Sequence, residues 1–422
     1  MKHTRSFIVL AVVTAFLVAA VSPLSAEIKI GEYEDVSLYT EIHTTGTFQA
    51  FDESHSDGGA PDIGPSLQTA WGNMDWRVTR EGYWEMFFDV TMASRVKTDR
   101  WWGHQGYIRV NKFPNNSPAS ALNPVFENID LKAGHFSVGF GDQLDRRSIN
   151  ADVQENPVIG NYLVTPEATE PGMEVIADQG PVKGLIGVGI GDSTENFKKD
   201  RGWSYHAKVW GNVTPNLKLS GSYYTVDHSE IQGAHGGPGH LFSTDRSTGT
   251  RFGGLDGFNG LISPGNGYDV MAYQGDIDWD ITPQTNVNAH FGMMEDADVN
   301  GTSGDSTADG TPKEEWTYYG ADVTHYVSDN VYLAGRYSVA DADILEEETG
   351  TAVGGGDVQD QANGSNPDKA SQLEAGVGAW LTKRMLLKAT YVDASAENLG
   401  DYSGNLDNQE FSGVISEMSI TF

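Results

Sequence analysis

The sequence predicts an all-β fold, a transmembrane antiparallel β-barrel of about sixteen strands with short turns at one rim and long loops at the other. Three observations carry this. Apolar residues recur with a period of two in about sixteen segments, with the charged residues on the opposite parity. Tight turns alternate with long stretches rich in Gly, Asp, Ser and Asn. The chain closes on a strand in which Phe422, Ile420, Met418, Ser416 and Val414 form one row and Thr421, Ser419, Glu417 and Ile415 the other. A period of two with one apolar and one polar row is a strand with one face in oil and one in water.

The elements follow in order. The first strand turns Val36, Leu38, Thr40 and Ile42 outward and Ser37, Tyr39, Glu41 and His43 inward. Segments 72–79 and 83–92 flank the turn Arg80-Glu81-Gly82, with Met74, Trp76 and Val78, then Trp84, Met86, Phe88 and Val90, outward. Segments 106–112 and 128–138 are joined by a longer, Pro-containing turn. The pairs 172–178 with 185–190, 203–211 with 217–226, 268–280 with 285–293, 316–326 with 331–340, and 372–381 with 385–393 flank short turns. The terminal strand is expected to pair with the first and close the ring. The long loops fall at 52–69, 93–105, 139–171, 191–202, 227–267, 294–315, 341–371 and 394–410. The chain reads as one domain from 27 to 422, without internal repeats beyond the hairpin.

Charge placement tests the rows, which were chosen for their apolar members alone. A Lys or Arg facing lipid at mid-bilayer costs ~2–4 kcal/mol. Glu41, Asp75, Arg77, Glu85, Asp89, Arg109, Asp130, Lys132, Glu174, Lys208, Lys218, Asp276, Asp278, Asp322, Arg336, Glu374, Lys388 and Glu417 all fall on the inward rows. A soluble sandwich also alternates, but its apolar row is the inside. Regular turn–loop alternation argues against it. So do aromatics near strand ends, Trp76, Trp84, Trp203, Trp279, Trp316 and Tyr391, where a membrane interface favours Trp and Tyr.

The N-terminal residues read as an export signal. Met1-Lys-His-Thr-Arg5 is basic, 7–21 is apolar but shorter than the ~20 residues a spanning helix needs, and Leu24-Ser25-Ala26 suits cleavage. Residues 1–26 are therefore expected to be a signal peptide. The chain has 50 Gly, 17 Tyr, 17 Phe, 10 Trp and no Cys. Without Cys, covalent c-type haem, iron–sulfur clusters and thiol chemistry are excluded. No other stretch is long and apolar enough to span as a helix, which leaves a closed barrel as the way to cross a bilayer.

A terminal Phe after alternating apolar residues resembles the C-terminal assembly signal of Gram-negative outer-membrane barrels, which the barrel-assembly machinery reads. With the export signal, about sixteen amphipathic strands and eight long loops, the chain resembles a bacterial porin of the general-diffusion type. The segment Ile129-Asp-Leu-Lys-Ala-Gly-His-Phe-Ser-Val-Gly-Phe-Gly141 is similar to the strand entering the third loop in several porin families, the phosphate-selective type included. The resemblance implies an outer-membrane location among lipids and lipopolysaccharide, and a homotrimer as one form of assembly. It also implies that loop 139–171 folds inward as a constriction carrying Asp142, Asp145, Arg146, Arg147, Asp152 and Glu155, with Glu167 and Glu170 further along the same loop. The Lys/Arg excess of a phosphate-selective pore is not present.

Without residues 1–26 the chain has 59 acids against 25 bases, a net charge of −34. Acidic rings in a low-dielectric wall favour cations. Among the inward residues named above, acids outnumber bases 11 to 7, so a modest cation preference is expected. The candidate pore wall is Asp75, Arg77, Glu85, Asp89, Arg109, Lys132 and Arg336. The charge sign disfavours nucleic acid. No Gly-x-Ser-x-Gly elbow is present and no residue set suggests an enzyme. No resident cofactor is expected. Asp296-Ala-Asp298-Val-Asn300-Gly301 matches the first half of a calcium loop, but its twelfth position is Thr307, which lacks the bidentate carboxylate. The alternative there is a solvated loop. His228, His235 and His240 lie among glycines that pre-organise no metal site. Three functions stay open: passive diffusion of small polar solutes, a specific channel for an oligosaccharide or other polar solute with lumen aromatics Tyr39, Phe87, Tyr107, Trp210, Tyr224 and Tyr332, and a plugged structural or adhesive barrel.

Overall fold

The computed structural model describes residues 28–29, 36–55, 66–95, 98–102, 105–142, 169–177, 180–190, 203–228, 268–296, 314–344, 369–397 and 408–421. Its strands are β1 Ile28–Lys29, β2 Val36–His55, β3 Ser66–Arg80, β4 Trp84–Arg95, β5 Thr98–Trp102, β6 Gly106–Val110, β7 Asp130–Ser137, β8 Thr169–Ala177 and β9 Val182–Gly189. They continue with β10 Ser204–Thr214, β11 Leu217–His228, β12 Tyr268–Thr282, β13 Thr285–Asp296, β14 Glu314–Ser328, β15 Val331–Ile344, β16 Lys369–Thr382, β17 Met385–Glu397 and β18 Asn408–Thr421.

The pairings return on themselves. β2 pairs with β3, β3 with β4, β4 with β6, β6 with β7, and each later strand with the next as far as β18. β18 then pairs with β2, from Gln409 opposite His55 to Thr421 opposite His43. Among the described residues, sixteen strands (β2 to β4 and β6 to β18) thus form an antiparallel ring, as expected. The two remaining strands fill gaps in it. β1 sets Ile28 opposite Leu38 on β2, in line with β18 beyond its last pair. β5 pairs with the upper half of β4 and β6 with the lower half. At the start of β6 the Asp89 carboxylate accepts the Gln105 N–H, and the Asp89 N–H donates to the Gln105 carbonyl.

The turn rim repeats one device. The two-residue turns after β10, β12, β14 and β16 each carry a register shift. The Thr282 and Thr382 hydroxyls accept the N–H groups of Gln284 and Arg384, the local bond that makes Thr a turn residue. Each turn also accepts an N–H from the next hairpin: Asp280 to Asn216, Tyr326 to Gln284, Trp380 to Asn330 and Thr421 to Arg384. The turn between β6 and β7 differs. It holds short 3₁₀ turns at Pro118–Leu122 and Val125–Glu127. The Asn123 amide bonds both the N–H and the C=O of Phe113, and Phe113 stands edge-on to Phe126 at 5.3 Å.

Burial is inverted relative to a water-soluble protein. On β15, Leu333 and Tyr337 are 52% and 50% exposed, whereas Tyr332, Arg336 and Ser338 are at 2% or below. The same alternation runs around the ring. Met173, Ile186, Val209, Tyr273, Phe291, Val323, Val377 and Leu387 face out, while Glu174, His206, Asp276, His290, Asp322, Glu374, Lys388 and Glu417 are buried inside. A water-soluble chain does not leave so continuous an apolar girdle exposed. In a bilayer the girdle meets lipid tails, and the closed ring satisfies the backbone.

Two expectations are corrected. Trp316 does not lie on the outer interface belt; it shares the parity of Asp322 and is 2% exposed on the inner face. The loops expected at 52–69 and 93–105 are shorter, because β2 runs to His55, β3 begins at Ser66 and β5 occupies Thr98–Trp102. A ladder that continues above the bilayer no longer needs an apolar row, so the sequence pattern fades before the pairing does. The export signal lies outside the described residues.

Large inward rings are seated on glycines of the neighbouring strand. Tyr318 faces Gly292 and Tyr332 faces Gly378 across their pairs. A Cβ at Gly292 would lie 2.1 Å from Tyr318 Cζ, and one at Gly378 2.0 Å from Tyr332 Cζ. Each ring therefore lies along the wall instead of projecting across the lumen. Gly292→Ala is expected to destabilise the folded barrel by about 1–3 kcal/mol through overpacking, measured by urea unfolding in detergent. Adding Tyr318→Ala should recover part of that loss through coupling. Purely additive effects would show that ring and glycine do not interlock.

Candidate functional site

The chain leaves β7 toward the lumen. Val138 and Phe140 are buried, and Phe140 stands edge-on to Tyr224 of β11 at 6.4 Å. Gly141, with φ of 66°, donates its N–H to Ser222 Oγ at 3.0 Å and accepts from Lys208 Nζ at 2.6 Å. The Asp142 carboxylate accepts from Lys208 at 2.5 Å, Lys218 at 2.9 Å and the Ser220 hydroxyl at 2.7 Å. β8 and β9 separate β7 from β10 in the ring, so residues 138–142 cross the inner face of those strands. This is the start of the segment expected to fold inward.

Its return end is fastened to the same wall. Glu170, at the start of β8, is 1% exposed and accepts from the Tyr224 hydroxyl at 2.6 Å and from the Ser204 hydroxyl. Thr169 Oγ1 lies 2.8 Å from His135 Nε2. Four residues beyond Glu170, Glu174 lies 3.0 Å from Lys132 Nζ and 2.9 Å from His206 Nε2. The His206 ring occupies space that a Cβ at Gly187 would fill, since that atom would lie 2.1 Å from Nε2. An unpaired buried charge costs several kcal/mol, so each inward carboxylate here is met by donors from other strands, β7 and β10 for Glu174 and β10 and β11 for Glu170.

The wall residues named from the sequence all face inward, and the structure supplies their partners. Arg109 pairs with Asp130. Arg77 lies 3.5 Å from Glu85, and Lys132 joins Glu174. Arg336 is held between Asp322 at 2.8 Å and Glu374 at 3.3 Å, and Lys388 lies 3.6 Å from Glu417. Asp75 stands directly opposite Glu41 on one side and Asp89 on the other, a row of three carboxylates at one level. Of the expected constriction residues, Asp142 is placed, whereas Asp145, Arg146, Arg147, Asp152 and Glu155 lie outside the described residues. So do Asp298 and Asn300 of the calcium expectation, while Asp296 ends β13 instead of lying in a loop. His228 ends β11, and His235 and His240 lie outside the described residues. Among the described residues no group of His, Asp and Glu is arranged to hold a metal ion. Sequence reasoning put Lys208 and Lys218 on the wall but could not join them to Asp142, because that junction depends on register. Glu170 was expected on the inward-folding loop without a partner, and Ser204 and His206 carried no signal.

A closed ring of sixteen strands with an inward-folding segment after the fifth ring strand defines a porin-type transmembrane β-barrel. The outer-membrane channel DcaP of Acinetobacter baumannii superposes with a TM-score of 0.60 at 11% identity, over 93% of this chain and 99% of that one. OmpT, an outer-membrane protein of Vibrio cholerae, gives 0.54 at 10% identity over 94% and 100%. An anion-selective porin from Comamonas acidovorans gives 0.53 at 11% over 92% and 100%. No protein-family model and no curated protein matches the sequence. The likeness is one of fold, and the fold is that of the bacterial outer-membrane porins.

Asp142 gives the anchor a pH signature. Burial pushes its carboxyl up, but the charge of Lys208 and hydrogen bonds from Lys208, Lys218 and Ser220 outweigh this and hold it at about 2, against 3.8 for a free aspartate. A depressed carboxylate contributes stability that is present above its unfolded value and is lost as pH falls through the folded one. Asp142→Asn is therefore expected to cost about 1–3 kcal/mol at neutral pH, read from urea midpoints in detergent. The gap between parent and variant should persist down to about pH 4 and close near pH 2. A gap that is absent, or unchanged at pH 2, would remove Asp142 as the anchor.

Proposed function

We propose that this chain is an outer-membrane channel through which small hydrophilic solutes and ions diffuse passively, with a modest preference for cations. The observation that carries the reading is the inverted ring: an apolar outer girdle around an inner wall of charged and polar side chains. Such a wall replaces the hydration that an ion or polar solute gives up on entering a narrow space. The similar structures, described as a channel and as an anion-selective porin, support passage through this fold. They do not carry over the sign of selectivity, because function lies in the residues set on a fold. In this chain most wall bases are bridged by acids, while Glu41, Asp75 and Asp89 form an uninterrupted carboxylate row. That row supports the cation preference.

Further parts of the proposal follow from the same reading. The chain is exported by its N-terminal signal, is assembled by the barrel-assembly machinery, and sits among lipids and lipopolysaccharide as a homotrimer. It catalyses no reaction. On the same reading Arg146 and Arg147, which lie outside the described residues, are expected to oppose wall acids, an arrangement that would order water and penalise apolar solutes.

Salt-gradient reversal potentials in planar bilayers test the function. The parent should prefer cations at neutral pH, and Asp75→Asn with Asp89→Asn should move the potential at least halfway to zero while the barrel stays assembled. Anion preference in the parent would refute the charge argument, and an absence of current would favour the plugged barrel.

A further inference from the structure

The lumen face of β2, β3, β4 and β6 carries an arrangement that ion diffusion does not use. Tyr39, Arg77, Phe87 and Tyr107 are directly paired neighbours at one level. The Phe87 and Tyr107 rings stack at 5.2 Å with 30° between their planes. Arg77 Cζ lies 5.8 Å from the Phe87 centroid, and Lys132 Nζ lies 4.7 Å from that of Tyr107. The far side of the stack is thus filled, since Lys132 also contacts Glu174 and the Phe136 ring. The near side is accessible: the Arg77 side chain is 53% exposed and Tyr39 is 44% exposed. Arg336, by contrast, is enclosed between two carboxylates.

Three chemistries meet there. Arg77 offers a planar fork of donors suited to a carboxylate. Tyr39 and Phe87 flank it on the adjacent strands; the guanidinium lies over the Phe87 ring, which leaves the exposed Tyr39 ring as the face on which a flat ring can stack. Two residues along β3 on the same face stands Asp75, with Glu41 paired beside it. A plain aromatic anion bound to Arg77 would meet the repulsion of Glu85, Asp75 and Glu41. A plain aromatic cation would meet Arg77. A solute carrying a ring and both charges, with no net charge, satisfies all three.

We propose that this face is a binding shelf for aromatic zwitterions, an aromatic amino acid being the simplest member. The carboxylate sits on Arg77, which Phe87 backs, the ring lies against Tyr39, and the ammonium points to Asp75 and Glu41. The shelf rests on the reading of the lumen as a solute path and adds a ligand class to it. Its affinity is weak, because a channel site must release what it binds.

Saturation-transfer NMR on the folded protein in detergent tests the shelf without relying on conductance. Phenylalanine should bind at millimolar concentration with saturation strongest on its ring protons. Alanine, phenylacetate and phenethylamine, which lack the ring, the ammonium and the carboxylate in turn, should each bind about ten-fold more weakly. Arg77→Gln and Phe87→Leu should weaken phenylalanine by a similar factor. Arg77→Lys, which keeps charge but loses the fork, should fall between, and Lys112→Gln in the β6–β7 turn should change nothing. Heat-modifiable gel migration confirms assembly of each variant. Absence of phenylalanine binding, equal binding of alanine, or unchanged binding in both Arg77→Gln and Arg77→Lys would overturn the shelf. Ion current through the parent, recorded separately in bilayers, separates the two readings. Current without binding removes the shelf alone, and binding without current removes the diffusion channel and leaves the shelf standing.

Discussion

Everything in this molecule follows from one constraint: in oil, every backbone N–H and C=O must be bonded within the protein. A sheet meets this only by closing, and here β18 returns to β2 over a run of thirteen paired residues from Gln409 to Thr421. Closure fixes the register, and the register fixes which side chains share a face. The small devices serve the same end. β1 extends the line of β18 along β2, the Asp89–Gln105 bonds continue the pairing of β4 at the start of β6, and the turns after β10, β12, β14 and β16 are each stitched to the next hairpin.

Closure sends charged side chains inward, where water is restricted and an isolated charge is costly. Most inner-wall bases therefore pair with acids of a neighbouring strand, as Arg336 does with Asp322 and Glu374. The same requirement turns the end of β7 into a structural element. Asp142 and Glu170, at the two ends of the connection from β7 to β8, are both bound to side chains of β10 and β11. Both described ends of that connection are thus fixed to the inner wall.

The ring was legible because its physics is local: a period of two, charges on one parity and turn residues at fixed offsets. The strand faces of Asp75, Arg77, Glu85 and Arg336 follow from counting alone. What depends on register was not legible. Nothing in the sequence near Asp142 points to Lys208 and Lys218, more than sixty residues away, and nothing near Gly292 announces that Tyr318 needs its missing side chain. Trp316 misled because an aromatic near a strand end suggests an interface belt, although its parity with Asp322 places it inside. The strand ends were underestimated where the pairing outlasts the apolar row, as at His55 and Ser66.

The inverted ring is tested most directly by spin-label accessibility along β15. The chain contains no Cys, so single cysteines at positions 331 to 340 can be labelled without altering the background. In lipid vesicles, labels at 333, 335 and 337 should collide preferentially with oxygen dissolved in the bilayer. Labels at 332, 334, 336 and 338 should be shielded from it, giving a period of two in that phase. A uniform profile, or a period of two with oxygen access at 332, 334, 336 and 338, would contradict the account.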